Sequence, residues 1–302
     1  MGEVVGMGLL AHVPTIMLPQ EVRYELNEGR EISLVPGLER LRKEVFETLD
    51  YDTVVVLDSH WATTVEWVIT AHNRRHGLFT SEELPRGMKQ IPFDFTGDPK
   101  LAFATAALGE KHGTWVTAID DPYLPIYYAT INLWKYLGEG LDKNWVSIGV
   151  CQTAEPEDAL RLGRALGEAI EQTDSKVLLL ASGALSHTFH TLRTLRQHES
   201  SDLSHIFSPG ARAADEERIE WFKAGDHARV LNTHDEFRKF KPEAGFQHYL
   251  MMMGAVGEGD CTATGRLYSD YENSIGTGQV HIWFDQPASG FPSSQRLSVT
   301  RG

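Results

Sequence analysis

Two short runs constrain this chain most: Val54-Val55-Val56-Leu57, and Val177-Leu178-Leu179-Leu180-Ala181 after Lys176. Neither alternates apolar with polar residues, as a strand with one wet face would. A run that is apolar at every position is buried on both faces, the condition of an interior strand in a sheet covered by helices on both sides. The β-branched valines suit such a strand. Val4 to Leu10 is a third run of this kind, and Glu66–Ala71, Trp145–Cys151 and Val280–Phe284 read as further strands.

Helical periodicity falls between them. Leu38, Leu41, Val45, Phe46 and Leu49 share a face after Pro36-Gly37. Lys100–His112 is Ala-rich, and Pro156–Thr173 carries Ala159, Leu162, Leu166, Ala169 and Ile170 on one side, with Pro156 suited to a first turn. Ala213–Ala224 and Phe246–Val256 also read as helices. Residues 19–34 read as irregular, 77–99 as a long Gly/Pro-punctuated loop over a site, and 191–212 as loop-rich. The 302 residues would allow two domains, but no linker or repeat divides them. The expectation is one α/β domain over 1–287, a central mostly parallel or mixed sheet flanked by helices, with a peripheral tail over 288–302.

Charge narrows the function. Lys plus Arg is 28 and Asp plus Glu 42, a net charge of −14, which argues against nucleic acid or an anionic membrane as partner. Cys151 and Cys261 are too few for a disulfide framework or a Cys-rich zinc module. The first residues lack a positive n-region, and no apolar run approaches about 18 residues. A cytoplasmic protein is the expectation.

Thirteen histidines are present, and three stand just beyond strand-like runs: His12 after Val4–Ala11, His60 in Asp58-Ser59-His60-Trp61, and His187 in Ser182-Gly183-Ala184-Leu185-Ser186-His187. Open α/β sheets bind ligands beyond the carboxyl ends of their strands, where these imidazoles would converge. The plainer alternative is that each is a satisfied structural group or belongs to a helix cap. His72, His76, His112, His198, His205, His227 and His234 lie in polar stretches and read as solvated. His190 reads as a helix-face residue and His281 as structural. His248, five residues after Glu243, stays a candidate for contact with substrate.

Taken together, Ala11-His12-Val13-Pro14, Asp58-Ser59-His60-Trp61, Thr80-Ser81-Glu82-Glu83-Leu84-Pro85, Ala181-Ser182-Gly183-Ala184-Leu185-Ser186-His187 and Ile275-Gly276-Thr277-Gly278-Gln279-Val280 resemble, in order, the class III (LigB-type) extradiol ring-cleaving dioxygenases. Within them the chain looks most like the homoprotocatechuate (3,4-dihydroxyphenylacetate) 2,3-dioxygenase branch. The resemblance runs from about residue 5 to 285. It implies a LigB-like fold, a non-haem Fe(II) site held by His12, His60 and Glu243, and meta cleavage of a catechol by O2 to a muconic semialdehyde. His187 matches the acid/base histidine. Tyr128 falls where many members carry a second histidine; a hydrogen bond to substrate or oxygen is one role for it, and packing the pocket wall the other. The resemblance also implies a homo-oligomer.

The chemistry agrees with these residue types. Two imidazoles and one carboxylate on one face of Fe(II) leave positions open for both catechol oxygens and O2. A free histidine titrating near neutrality can take a proton and return it. No P-loop or strand-linked Gly-x-Gly-x-x-Gly calls for an organic cofactor. An arylacetate carboxylate would need a cation, for which Arg86, Arg193 and Arg196 are candidates. Competing readings are a 2-aminophenol-cleaving dioxygenase, a non-catalytic binding protein of the same fold, and a zinc hydrolase, since His/His/Glu also suits zinc.

Overall fold

A computed structural model describes residues 1–293. Its strands are β1 (Glu3–Leu10), β2 (Thr53–Thr63), β3 (Trp67–Thr70), β4 (Arg74–Phe79), β5 (Ile91–Thr96), β6 (Val116–Ile119), β7 (Asn144–Cys151), β8 (Lys176–Ser182), β9 (Gly265–Leu267), β10 (Glu272–Ser274), β11 (Thr277–Gln279) and β12 (His281–Asp285). The helices are α1 (Gln20–Leu26), α2 (Leu34–Leu41), α3 (Pro99–Gly109), α4 (Tyr128–Leu137), α5 (Pro156–Thr173), α6 (Pro209–Ala224), α7 (His227–Asn232), α8 (His234–Phe237) and α9 (Gln247–Ala255).

The main sheet is ten-stranded and mixed, in the order β4-β5-β7-β2-β8-β1-β12-β9, with β3 joining β7 to β6. Its centre is parallel: β2 pairs with β7 and β8, and β8 with β1. The flanks are antiparallel, β12 against β1 and β4 against β5. This is the single α/β unit that the interior runs require.

Those runs divide their side chains between two cores. Val54, Val56, Leu178 and Leu180 pack on one face with α2 and α4, through Leu38, Leu41, Leu133 and Leu137. Val55, Leu57, Val177, Leu179 and Ala181 pack on the other, against α5 and α9 through Leu162, Leu166, Leu250 and Met251. Alternate residues point to opposite faces of a strand, so both faces of β2 and β8 are dry.

Three local expectations are corrected. Residues 77–99 are not one loop, because β4 and β5 form an antiparallel pair with Leu78 opposite Pro92, and only 80–90 connects them. Proline is tolerated here because β5 meets β7 at a single residue pair, so the missing N–H costs no further ladder bond. Residues 19–34 are not irregular throughout: α1 lies there, fixed by Arg23, whose guanidinium donates to both Glu31 oxygens at 2.8 and 2.7 Å. Finally, His72, His227 and His234 are buried rather than solvated. Each of them hydrogen-bonds a backbone carbonyl, on Asp121, Ala263 and Gly245 respectively, which offsets its desolvation. Of the expected tail, residues 294–302 lie outside the described residues, while Phe291 packs against the core.

Candidate active site

The parallel centre of the sheet brings β1, β2 and β8 to a common carboxyl end, and the candidate residues gather there. His12 follows β1 and is 4% exposed. The last residue of β8, Ser182, lies 2.9 Å through its Oγ from His12 Nδ1, and Asn132 of α4 donates to the His12 carbonyl at 2.7 Å.

His60 is reached by a departure from regular strand. The β2–β7 register passes from Asp58 opposite Gly149 directly to Ala62 opposite Val150, so Ser59, His60 and Trp61 bulge out of the ladder. Buried Asp58 holds the bulge: its Oδ1 accepts from the His60 and Trp61 amides, both at 3.0 Å, and its Oδ2 accepts from Thr130 Oγ1 at 2.7 Å. Thr130 sits one half-turn along α4 from Tyr128, so one carboxylate fixes both His60 and the start of the helix that carries the tyrosine. Gly149 makes room, since a Cβ there would stand 2.6 Å from the Trp61 carbonyl oxygen.

Glu243 comes from the other side, just before α9. Ala244, Gly245 and Phe246 follow it at φ of 47°, 64° and 67°. Three consecutive left-handed residues, two of them not glycine, are strained backbone that the surroundings must enforce. His234 Nε2, 3.0 Å from the Gly245 carbonyl oxygen, is one such restraint. The carboxylate is buried and doubly held: Ser59 Oγ donates to Oε1 and the Ala184 amide to Oε2, each at 2.6 Å. His12 Nε2 lies 3.5 Å from Oε1, and His187 Nε2 lies 3.8 Å from Oε2. Burial opposes ionisation of Glu243, but His187, His12, His248 and the Ser59 hydroxyl outweigh it and hold the carboxyl far below its usual range. Burial pushes His12 down to about 4 against the pull of Glu243, so its imidazole is neutral at pH 7.

Tyr128, the first residue of α4, stands between the two strand-end histidines. Its ring centroid is 4.0 Å from that of His60 and 5.3 Å from that of His12. Burial, with Glu243 adding to it, raises its hydroxyl far above the usual value, so the phenol keeps its proton. His187 is half-buried, its ring edge-on to exposed Phe189 at 4.7 Å.

His248 is fully enclosed, with neither ring nitrogen hydrogen-bonded, behind Gly183, where a Cβ would come 2.6 Å from Nε2. The expected contact with substrate therefore has no open face to act through. Arg86, Arg193 and Arg196 are exposed. His190 is not on a helix: its ring stacks on His198 at 3.5 Å and its Nε2 is 2.9 Å from the His205 carbonyl oxygen. His281 is fully buried with Nδ1 accepting from the Ala11 amide, a structural placement. Ser59, Ser182 and Asp58 orient the candidate residues, and their signal in the sequence is position, each being polar at the end of an apolar run.

The donor chemistry suits a divalent ion: a neutral imidazole at His12, an ionised carboxylate at Glu243, and a His60 Nδ1 that is buried without a hydrogen-bond partner. The spacing is open, the His12 and His60 ring centroids being 6.3 Å apart with His60 turned onto Tyr128. Among the described residues no three His, Cys, Asp or Glu side chains are close enough to enclose an ion.

Comparison with known proteins fits this architecture. The family profile described as the catalytic LigB subunit of aromatic ring-opening dioxygenase matches residues 6–284. A 3,4-dihydroxyphenylacetate 2,3-dioxygenase of Escherichia coli is 27% identical over 259 residues, covering 85% of this chain and 91% of that protein. The crystal structure of an uncharacterized protein from Escherichia coli K12 shares the fold at a TM-score of 0.62 and 16% identity, covering 92% of this chain and 99% of the other. The chain belongs to the LigB family and is an aromatic ring-cleaving dioxygenase.

Proposed function

We propose that the chain cleaves a catecholic ring with O2 by the extradiol route, at a site where His12, His60 and Glu243 hold Fe(II) and His187 moves protons. The observation that carries this is the buried, ionised Glu243 with His12 at 3.5 Å on one oxygen and His187 at 3.8 Å on the other. One carboxylate thus links a strand-end ligand histidine to a freer histidine with an open side.

Fe(II) bound by two neutral imidazoles and a carboxylate supplies open positions for both catechol oxygens and O2, and acidifies the bound hydroxyl. The protein's own residues do the rest. Ser182 orients the His12 ring, and Ser59 with the Ala184 amide orients the Glu243 carboxylate, as outer partners of metal ligands commonly do. His187 accepts the second catechol proton at Nε2 and returns it to the product side, a two-way transfer that an imidazole supports at neutral pH. Tyr128, keeping its proton, donates a hydrogen bond toward the substrate or oxygen. The likeness to a 3,4-dihydroxyphenylacetate dioxygenase supports a substituted catechol of the arylacetate kind as substrate.

The test is anaerobic purification, iron loading with confirmed metal content, and assay on catechols and 2-aminophenols. The expected outcome is one O2 consumed per catechol and a yellow semialdehyde product. A fully iron-loaded protein that turns over no catechol, or only aminophenols, sinks the proposal.

A further inference from the structure

We propose that Asp215 is a positioning residue for His187, acting through Ser186. Asp215 lies on α6, far in sequence from every candidate ligand, and is completely buried. Its Oδ1 accepts from the Ser186 amide at 3.0 Å, and its Oδ2 accepts from Ser186 Oγ at 2.6 Å and from the Tyr271 hydroxyl at 2.7 Å. A carboxylate bonded to both the amide and the side chain of the residue before His187 fixes that residue's position and its side-chain rotamer together.

The same short segment is clamped from two more directions. On one side, Gly278 of β11 exchanges backbone bonds with it: the Leu185 amide donates to the Gly278 carbonyl at 3.0 Å, and the Gly278 amide donates to the Ser186 carbonyl at 2.9 Å. On the other side, the His187 amide donates to the Lys241 carbonyl at 3.0 Å and the Glu243 amide to the Leu185 carbonyl at 3.2 Å. Segments 185–187 and 241–243 are therefore one paired unit, and Asp215 is its side-chain anchor. Gly278 also makes the anchor possible, because a Cβ there would stand 2.1 Å from Asp215 Oδ2 and 2.8 Å from the Tyr271 ring. This gives a physical role to the Ile275–Val280 stretch, whose glycines are too weakly placed to be a phosphate loop.

The inference follows from how little else restrains His187. Its side chain is 26% exposed, and its ionic contact with Glu243, at 3.8 Å, is beyond hydrogen-bond reach. Apart from the edge-on contact with Phe189, the ring's place follows its backbone, and Ser186 is where a side chain anchors that backbone. All three donors on Asp215 need an acceptor. Asparagine can meet them by accepting from the Ser186 amide while the two hydroxyls turn to accept from its NH2. Alanine meets none.

The proposal rests on His187 being the proton carrier, and its test separates the two claims. Asp215→Ala should lower kcat per bound iron about 10- to 100-fold, the scale of a misplacement near 1 Å, with KM unchanged; the rate is taken per bound iron because the paired 241–243 segment carries Glu243, and Asp215→Asn should recover most of that loss. In a His187→Ala background, Asp215→Ala should cost nothing further, because the two act as one unit. A second readout does not use turnover: carbethoxylation of His187 by diethyl pyrocarbonate, followed by peptide mass, should run severalfold faster in Asp215→Ala. An unchanged His187 modification rate, or an equal loss of kcat in the His187→Ala background, overturns the positioning role. If the parent protein cleaves no ring at all, the proposed function fails while the modification rate still decides the positioning. Should Asp215→Ala fail to fold, Ser186→Ala removes a single bond of the anchor and is read in the same way.

Discussion

The Ser59 hydroxyl donates a 2.6 Å hydrogen bond to Glu243 Oε1, joining a residue on the β2 bulge to one 184 positions later. The bond occupies a lone pair of the carboxylate and fixes the orientation of the rest. Outer partners of this kind are typically worth about 10- to 100-fold in metal affinity. Ser59→Ala should therefore weaken iron binding by that order while leaving the fold intact, since the side chain is small and the bulge is held by Asp58. Chelator competition with circular dichroism as the folding control measures it. Unchanged affinity would count against Glu243 as a ligand that Ser59 orients.

His60 and His187 should separate cleanly by readout. His60→Ala removes a proposed ligand and should purify without stoichiometric iron. His187→Ala should keep its iron and its catechol affinity and lose turnover by about 10²- to 10⁴-fold, the usual contribution of a general acid–base. Iron content per chain, set beside kcat, decides this. The opposite pattern would exchange the two assignments.

The strand ends were legible and the turns between them were not. Val54–Leu57 and Val177–Ala181 announce interior strands, and with them a site at their carboxyl ends. His12 and His60 could be placed there from residue order alone. Nothing local announced that β2 continues to Thr63 after a three-residue bulge; the only trace is Gly149, a glycine inside a neighbouring strand, which signals close backbone approach. The β4–β5 pair was hidden by Pro92, whose cost vanishes only because β5 scarcely pairs on its other side. His72, His227 and His234 looked solvated because their neighbours in sequence are polar, whereas their carbonyl partners are distant in the chain or lie in turns. Glu243 came from resemblance rather than periodicity, since a left-handed run after it leaves no helical or strand pattern to read.

Gly183 and His248 should be coupled. A Cβ on residue 183 would stand 2.6 Å from His248 Nε2, and the ring is enclosed on all sides. Gly183→Ala should cost about 1–3 kcal/mol of stability, the range for overpacking a filled core. It should also disturb iron binding, because residues 182 and 184 carry the bonds to His12 and Glu243. Adding His248→Ala should restore part of both losses by vacating the space. Denaturant unfolding of the two single variants and the double variant measures the coupling; strictly additive losses would show that the contact is relaxed elsewhere.

His281 should make the fold acid-sensitive. The ring is fully buried, with Nδ1 accepting from the Ala11 amide, so Nδ1 carries no proton in the folded state. Burial depresses it to about 3 from an ordinary value of 6.5. The folded value lies below the unfolded one, so between those limits the unfolded chain binds a proton that the folded chain refuses. Stability from this residue is complete above pH 6.5 and falls as pH drops below it, by about 2 kcal/mol at pH 5. His12 and His248, both depressed to about 4, act with the same sign and steepen the loss. His281→Asn, whose Oδ1 sits where Nδ1 accepts, should keep the Ala11 bond and lower the slope of unfolding free energy against pH by about one proton between pH 5 and 6. The two slopes, from denaturant unfolding at a series of pH values, test this directly, and identical slopes would exclude His281 as a source of the acid limb.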